Sequence, residues 1–151
     1  MLLPFSSGLV RTGKADAECA ALADRHYSRR KHGSRQFIPP GETLVLRDSG
    51  GTCVFGWHRA LVERADDQEG VCCSIFRNES QRLSSEIILE AEQFAVEKWG
   101  PIRGFTYVNK RKVRSANPGY CFIAAGWKVI GKSKGGLRLL EKFLAPAGKK
   151  G

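Results

Sequence analysis

The chain has 151 residues, 42% of them hydrophobic, with a formal net charge of +10. Its length fits one domain with enough apolar residues to fill a core, which excludes wholesale disorder. No apolar run approaches the roughly 20 residues a bilayer crossing needs, no basic-then-apolar leader opens the chain, and the five cysteines form no CxxC pair. A membrane protein, a secreted disulfide scaffold and a zinc knuckle are therefore not expected, and a cytoplasmic protein is.

In chain order, residues 15–27 repeat Cys19, Leu22, Ala23 and His26 at i, i+3, i+4 and i+7, predicting a helix that ends near Tyr27. A polar, basic loop over 28–36 follows, closed by Pro39, Pro40 and Gly41. Residues 43–47 and 52–62 predict two strands joined by a turn at Asp48, Ser49, Gly50 and Gly51, and 71–76 a third. A long helix capped by Ser84 or Ser85 runs to Lys98, carried by Ile87, Ile88, Ala91, Phe94, Ala95 and Trp99, and stopped by Gly100 and Pro101. Residues 102–108 predict a strand, and Asn117 and Pro118 open a short helix that closes at Gly126. Residues 127–130 predict a last strand, while 137–144 have helical periodicity but also suit a strand. The expectation is a mixed α/β single domain over 1–144: helix, antiparallel three-strand meander, then helix, strand, helix, strand, with a basic flexible tail at 145–151. No Gly-x-Gly-x-x-Gly and no GxxxxGK[ST] is present, so dinucleotide-fingerprint and P-loop readings fall.

The charge is unevenly placed. Residues 41–100 hold six Lys/Arg against eleven acids, whereas residues 101–151 hold twelve against one. Two basic segments stand out: Arg29, Arg30, Lys31 and Arg35 after the first helix, and Lys110, Arg111, Lys112 and Arg114 before the last. Charge so one-sided predicts a polyanionic partner, with these side chains on phosphates.

The element order, with Asn117-Pro118-Gly119-Tyr120-Cys121-Phe122 and Ala125-Gly126-Trp127 in the place of a last helix, resembles the GNAT acyltransferase superfamily. More narrowly, His26-Tyr27-Ser28, Thr106-Tyr107-Val108-Asn109 and Arg114-Ser115-Ala116-Asn117-Pro118-Gly119-Tyr120 with Gly126-Trp127 resemble the Mom family of phage DNA-modification proteins. These segments span about residues 15–140. The resemblance implies a GNAT-like enzyme, phage-encoded and acting in the host cell. It would modify the exocyclic amine of adenine in double-stranded DNA by carbamoylmethylation and so protect that DNA from restriction. It also implies an acyl donor such as acetyl-CoA, or an iron-assisted route, and leaves a homodimer open. The alternatives are a GNAT acyltransferase on a protein or tRNA amine, and a non-catalytic DNA-binding, anti-restriction module.

On that resemblance the catalytic positions are His26, Tyr27, Asn109 and Tyr120, with His26, Tyr27 and Tyr120 also the metal candidates. Histidine titrates near neutral pH and suits a base or a ligand. Asn109 falls where Mom relatives carry an acid, and an amide is neither a base nor an anionic ligand. The donor site would use Arg77, Arg82 and Ser84, in a stretch from Arg77 to Ser84 that lacks the glycines of the usual GNAT turn; a helix N-terminus flanked by arginines still suits an anion. Phe122 stands four residues before Gly126, where many GNATs place a tyrosine. Phe37, Trp57 and Tyr107 are stacking candidates for a flipped base, each with a core role as the plainer reading. His58 reads as a bonded histidine on a sheet face, and Cys72, Cys73 and Cys121 as small buried hydrophobes.

Overall fold

The structure, a computed structural model, describes residues 8–13, 15–24, 41–109 and 119–147. Its elements in order are β1 (Val10–Thr12), α1 (Ala17–Asp24), β2 (Glu42–Arg47), β3 (Cys53–Arg59), β4 (Val71–Asn78), α2 (Ser84–Trp99), β5 (Ile102–Val108), α3 (Tyr120–Ala124), β6 (Lys128–Lys132) and β7 (Arg138–Leu144). The strands form one 7-stranded sheet in the order β1-β2-β3-β4-β5-β7-β6. Among its pairs only β4 and β5 run parallel. They are joined through α2, the kind of crossover a parallel pair requires.

Local chemistry sets the turns. Asp48 Oδ1 accepts the Thr52 and Cys53 amides at 2.7 and 2.9 Å and its other oxygen accepts the Thr52 hydroxyl, which pins the β2–β3 turn while Gly51 takes φ 71°. Asp16 caps α1 by accepting the Cys19 amide at 3.0 Å, and Arg47 on β2 holds that carboxylate at 3.1 Å. The helix is thereby tied to the strand it covers. At the end of α2, Gly100 adopts φ 79° and donates its amide to the Val96 carbonyl, as the sequence led one to expect.

The helices cover opposite faces of the sheet. Leu44, Leu46, Phe55, Trp57, Val71 and Cys73 pack against Ile87, Ile88, Ala91 and Ala95 of α2 and against Phe122 and Trp127. On the other face Val45, Val54 and Ile75 pack against Cys19, Leu22 and Ala23 of α1. Both faces being covered, β3 is buried from Cys53 through His58. Trp57 stays paired in that core by donating Nε1–H to the Ala91 carbonyl at 3.0 Å. Glu92, 3% exposed on α2, accepts Trp127 Nε1–H at 2.8 Å and the Lys142 ammonium at 2.8 Å, bolting α2 to the far side of the sheet.

Several expectations are corrected. β1 is an additional short edge strand, so the meander has four strands. β3 ends at Arg59, and Leu61 and Val62 are exposed at 74% and 80% in the loop that follows. The residue capping α2 is Leu83, whose apolar side chain offers no hydrogen bond, and Ser84 is the first helical residue, its hydroxyl accepting from Asn78 Nδ2. In α3, Tyr120 follows Gly119 at φ 84°; the expected helix start at Asn117 and Pro118 lies outside the described residues. Residues 138–144 are a strand. There Leu139 faces Cys72 and Phe105 while Leu140 faces the α2 side, so neighbouring leucines are buried on opposite faces and the alternation that marks a strand is lost. Residues 145 and 147 are held on α2 by the Gln93 amide, at 3.2 and 3.0 Å.

Candidate functional site

The site is built by a parallel pair that comes apart. β4 and β5 are in register at Val71↔Gly104, Cys72↔Phe105 and Cys73↔Thr106, and no further rung joins them. At that point β4 carries a bulge: Gly56 and Trp57 on β3 face Ile75 and Cys73, leaving Ser74 as the extra residue. The bulge reverses the facing of the strand, since Cys73 belongs to the α2 side and Ile75 to the α1 side. From there to Asn78 the β5-facing polar groups of β4 have no strand partner among the described residues. A cleft of about 270 Å³ opens there, walled by Ser74, Phe76, Val108, Asn109, Phe122 and Leu137. It lies at the carboxyl ends of the two parallel strands, where open α/β sheets hold ligands.

A larger hollow, about 690 Å³, lies at the opposite ends of the same strands around Arg59, Arg64 and Arg103. Its cations are engaged: Arg59 with Glu42, Arg64 with Asp66 at 2.7 Å, and Arg103 with Glu141 at 2.6 Å. Arg64 foremost, with the Gln68 amide and the Tyr107 hydroxyl, outweighs burial to hold the Asp66 carboxyl well below the usual carboxylate range. Burial and then the bond to Asp66 push the Tyr107 phenol up to about 12. This network ties the 64–69 loop to the sheet and engages the three arginines of the hollow within the chain.

The cleft's own titratable groups are chiefly thiols. Burial pushes Cys72 up to about 12 and raises Cys73 and Cys121 as well. None is a ready thiolate, in agreement with their reading as small hydrophobes. The described walls thus supply apolar surface, β4 backbone groups and the Asn109 amide. Among the described residues no group of three or more His, Cys, Asp or Glu is placed to hold a metal ion.

Of the expected catalytic residues, Asn109 lines the cleft at the end of β5. Tyr120 is 59% exposed at the start of α3, between Gly119 and Cys121, both of which line the cleft. It is therefore not the core aromatic that is its plainer reading. His26 and Tyr27 lie outside the described residues, as do Arg29, Arg30, Lys31, His32, Arg35 and Phe37. Lys110, Arg111, Lys112 and Arg114 also lie outside them, on the segment between Asn109 and Gly119. Trp57 is fully buried and cannot stack on a base; His58, its neighbour, is buried on the opposite face, and Tyr107 is engaged by Asp66.

The three expected donor-site residues sit together at the end of β4 and the start of α2, each with a partner inside the chain. Arg77 pairs with Glu79 at 3.0 Å, Arg82 with Glu90 at 2.8 Å, and the Ser84 hydroxyl with Asn78 Nδ2 at 3.0 Å. Asn78 organises this glycine-free loop. Its Oδ1 accepts the Ser80 amide at 2.9 Å, and its Nδ2 also donates to the Arg82 carbonyl at 2.9 Å. Asn followed two residues on by a bonding serine is an Asx-turn signal, which was present in the sequence and is what replaces glycine here. The first turn of α2 has no side-chain cap. An anion drawing on the two arginines there would exchange with their carboxylates.

No family model matches the chain, and no curated protein or solved structure matches it.

No helix among the described residues is long and apolar enough to cross a membrane.

Proposed function

We propose that this chain is a GNAT-like transferase of the Mom type, acting on the exocyclic amine of adenine in DNA. The observation that carries the reading is the β4–β5 pair, which opens after Cys73↔Thr106 into a cleft at the carboxyl ends of the strands. A sheet ordered β1-β2-β3-β4-β5-β7-β6, with that single parallel pair at its opening, supports the GNAT-like part. The basic segments around residues 25–35 and 110–114 support a nucleic-acid substrate, since the second of them links two cleft-lining residues, Asn109 and Gly119.

In this reading a base leaves the duplex stack and enters the cleft edge-on, its ring against Phe76, Val108 and Phe122. Asn109 orients the amine through its side-chain amide and moves no proton. A bound acyl thioester would supply the transferred group: the amine nitrogen would bond to its carbonyl carbon, the C–S bond would break, and the departing thiolate would take up the proton that the amine loses. Tyr120, at the mouth, and His26 are the proton-handling residues of the proposal.

Nucleoside mass spectrometry on plasmid DNA from cells expressing the chain tests it. A mass-shifted deoxyadenosine that disappears with His26→Ala is expected. Canonical nucleosides alone, from abundant folded protein, would overturn it in favour of acyl transfer to a protein or tRNA amine, or of a binding module.

A further inference from the structure

β6 and β7 form a hairpin whose tip is a defined platform. The Ser133 amide donates to the Leu137 carbonyl at 2.8 Å, the Gly136 amide to the Ser133 carbonyl at 2.9 Å, and the Leu137 amide to the Ser133 hydroxyl at 3.0 Å. This tip carries Lys132, Lys134 and Arg138. Lys132 lies directly across from Arg138, so two cationic side chains stand on neighbouring strands at the tip.

The rest of the hairpin does not share this imbalance. Lys128 is in register with Glu141, and Lys142 is bonded to Glu92. Glu141, the sole acid among residues 101–151, reaches away to Arg103. Lys132 and Lys134 are exposed and have no carboxylate partner among the described residues. The tip also adjoins the cleft, because Leu137 lines its wall and Arg138 pairs with Val108, the residue before Asn109.

We propose that the β6–β7 tip, through Lys132 and Lys134, is a phosphate-binding strip that seats the backbone of a nucleic-acid strand beside the cleft mouth. It rests on the reading of the cleft as a nucleobase site, and it assigns the seating to residues outside both basic segments named from the sequence. Backbone contacts of this kind fix position without reading sequence.

The test is duplex DNA binding by fluorescence anisotropy across a salt series, for the full chain and Lys132→Gln/Lys134→Gln, with Arg11→Gln/Lys98→Gln as a control. The control removes two exposed charges from elsewhere on the fold. The tip variant should lower the slope of log K against log salt by about 2, one unit for each lost phosphate contact, and weaken binding equally on unrelated sequences. The control should keep the wild-type slope. A tip variant with the wild-type slope would overturn the proposal, as would an equal loss in the control. Tip-dependent binding to phosphatidylserine vesicles, with none to DNA, would overturn it in favour of a membrane surface. Nucleoside analysis of the same wild-type protein separates the two readings. Canonical nucleosides with a tip-dependent slope remove the base-modification reading and leave the phosphate strip standing.

Discussion

Thr106 Oγ1–H donates to the Cys73 carbonyl at 2.9 Å, a buried bond between the last two residues that β4 and β5 hold in register. Above it the strands separate and below it they are laddered, so this bond marks the base of the cleft. Thr106→Val keeps the shape and removes the donor, leaving the Cys73 carbonyl without it in a site that water does not reach. A loss of about 1–3 kcal/mol in urea unfolding is expected. An unchanged midpoint would mean that the strand separation needs no such anchor.

Low pH should weaken the fold through Asp16. Burial opposes its ionisation, but hydrogen bonds from Thr12 and the Cys19 amide, together with Arg47, outweigh that and bring it down from 3.8 to about 2. Because the folded value lies below the unfolded one, the stabilisation is complete above about pH 4 and is lost as pH falls through 3.8 towards 2. For a side chain 14% exposed this corresponds to about 2 kcal/mol. Asp16→Asn should lower stability at pH 7 and flatten that acid limb, while retaining part of the cap to Cys19. Parallel pH–stability curves for the two proteins would refute the linkage.

The elements legible in the sequence were those governed by local signals. The hairpin at Asp48 and Gly51, the periodic α2 with Gly100 at its end, and β5 stand where residue patterns put them. What escaped was set by tertiary contact. β1, only three residues long, exists by pairing with β2, and Leu139 and Leu140 of β7 lose alternation because both sheet faces are covered. Ser84 is an ordinary cap by composition, but Leu83 takes that position and Ser84 is the first helical residue, its hydroxyl accepting from Asn78 on the preceding strand. At the site, Asn109 was findable from its place at the end of β5. The Ser74 bulge that opens the cleft was not, since it is a property of the register between β3 and β4.

Lys142 is expected to matter through the carboxylate it leaves behind. Glu92 is buried with Lys142 and Trp127 as its partners, and burial raises its pKa above the usual value despite both. Lys142→Met strands that carboxylate and should cost about 3–5 kcal/mol at pH 7. Adding Glu92→Gln removes the charge but keeps an acceptor for Trp127, so the double variant should recover most of the loss. The sign with pH follows from the raised value: a carboxyl held above its unfolded pKa destabilises as pH rises through that interval, and the single variant should show this more steeply than wild type. A double variant no better than the single one would show that packing of the lysine stem, rather than charge, holds α2 to β7.

The thiols give a prediction that separates structure from chemistry at the cleft. Burial is the main cause of the raised pKa of Cys19, about 12, and Cys53, about 11, as it is for Cys72, Cys73 and Cys121. Iodoacetamide at pH 8 should therefore label the folded protein far more slowly than a free thiol, with Cys121, the one half-buried member, reacting first. Cys121→Ser should leave nucleoside modification and DNA affinity within about twofold of wild type, because the transfer proposed above passes through no thiolate. Fast labelling at Cys72 or Cys73, or loss of modification in Cys121→Ser with the fold intact, would instead identify a cysteine nucleophile in the cleft and replace direct transfer to the amine with a thioester route.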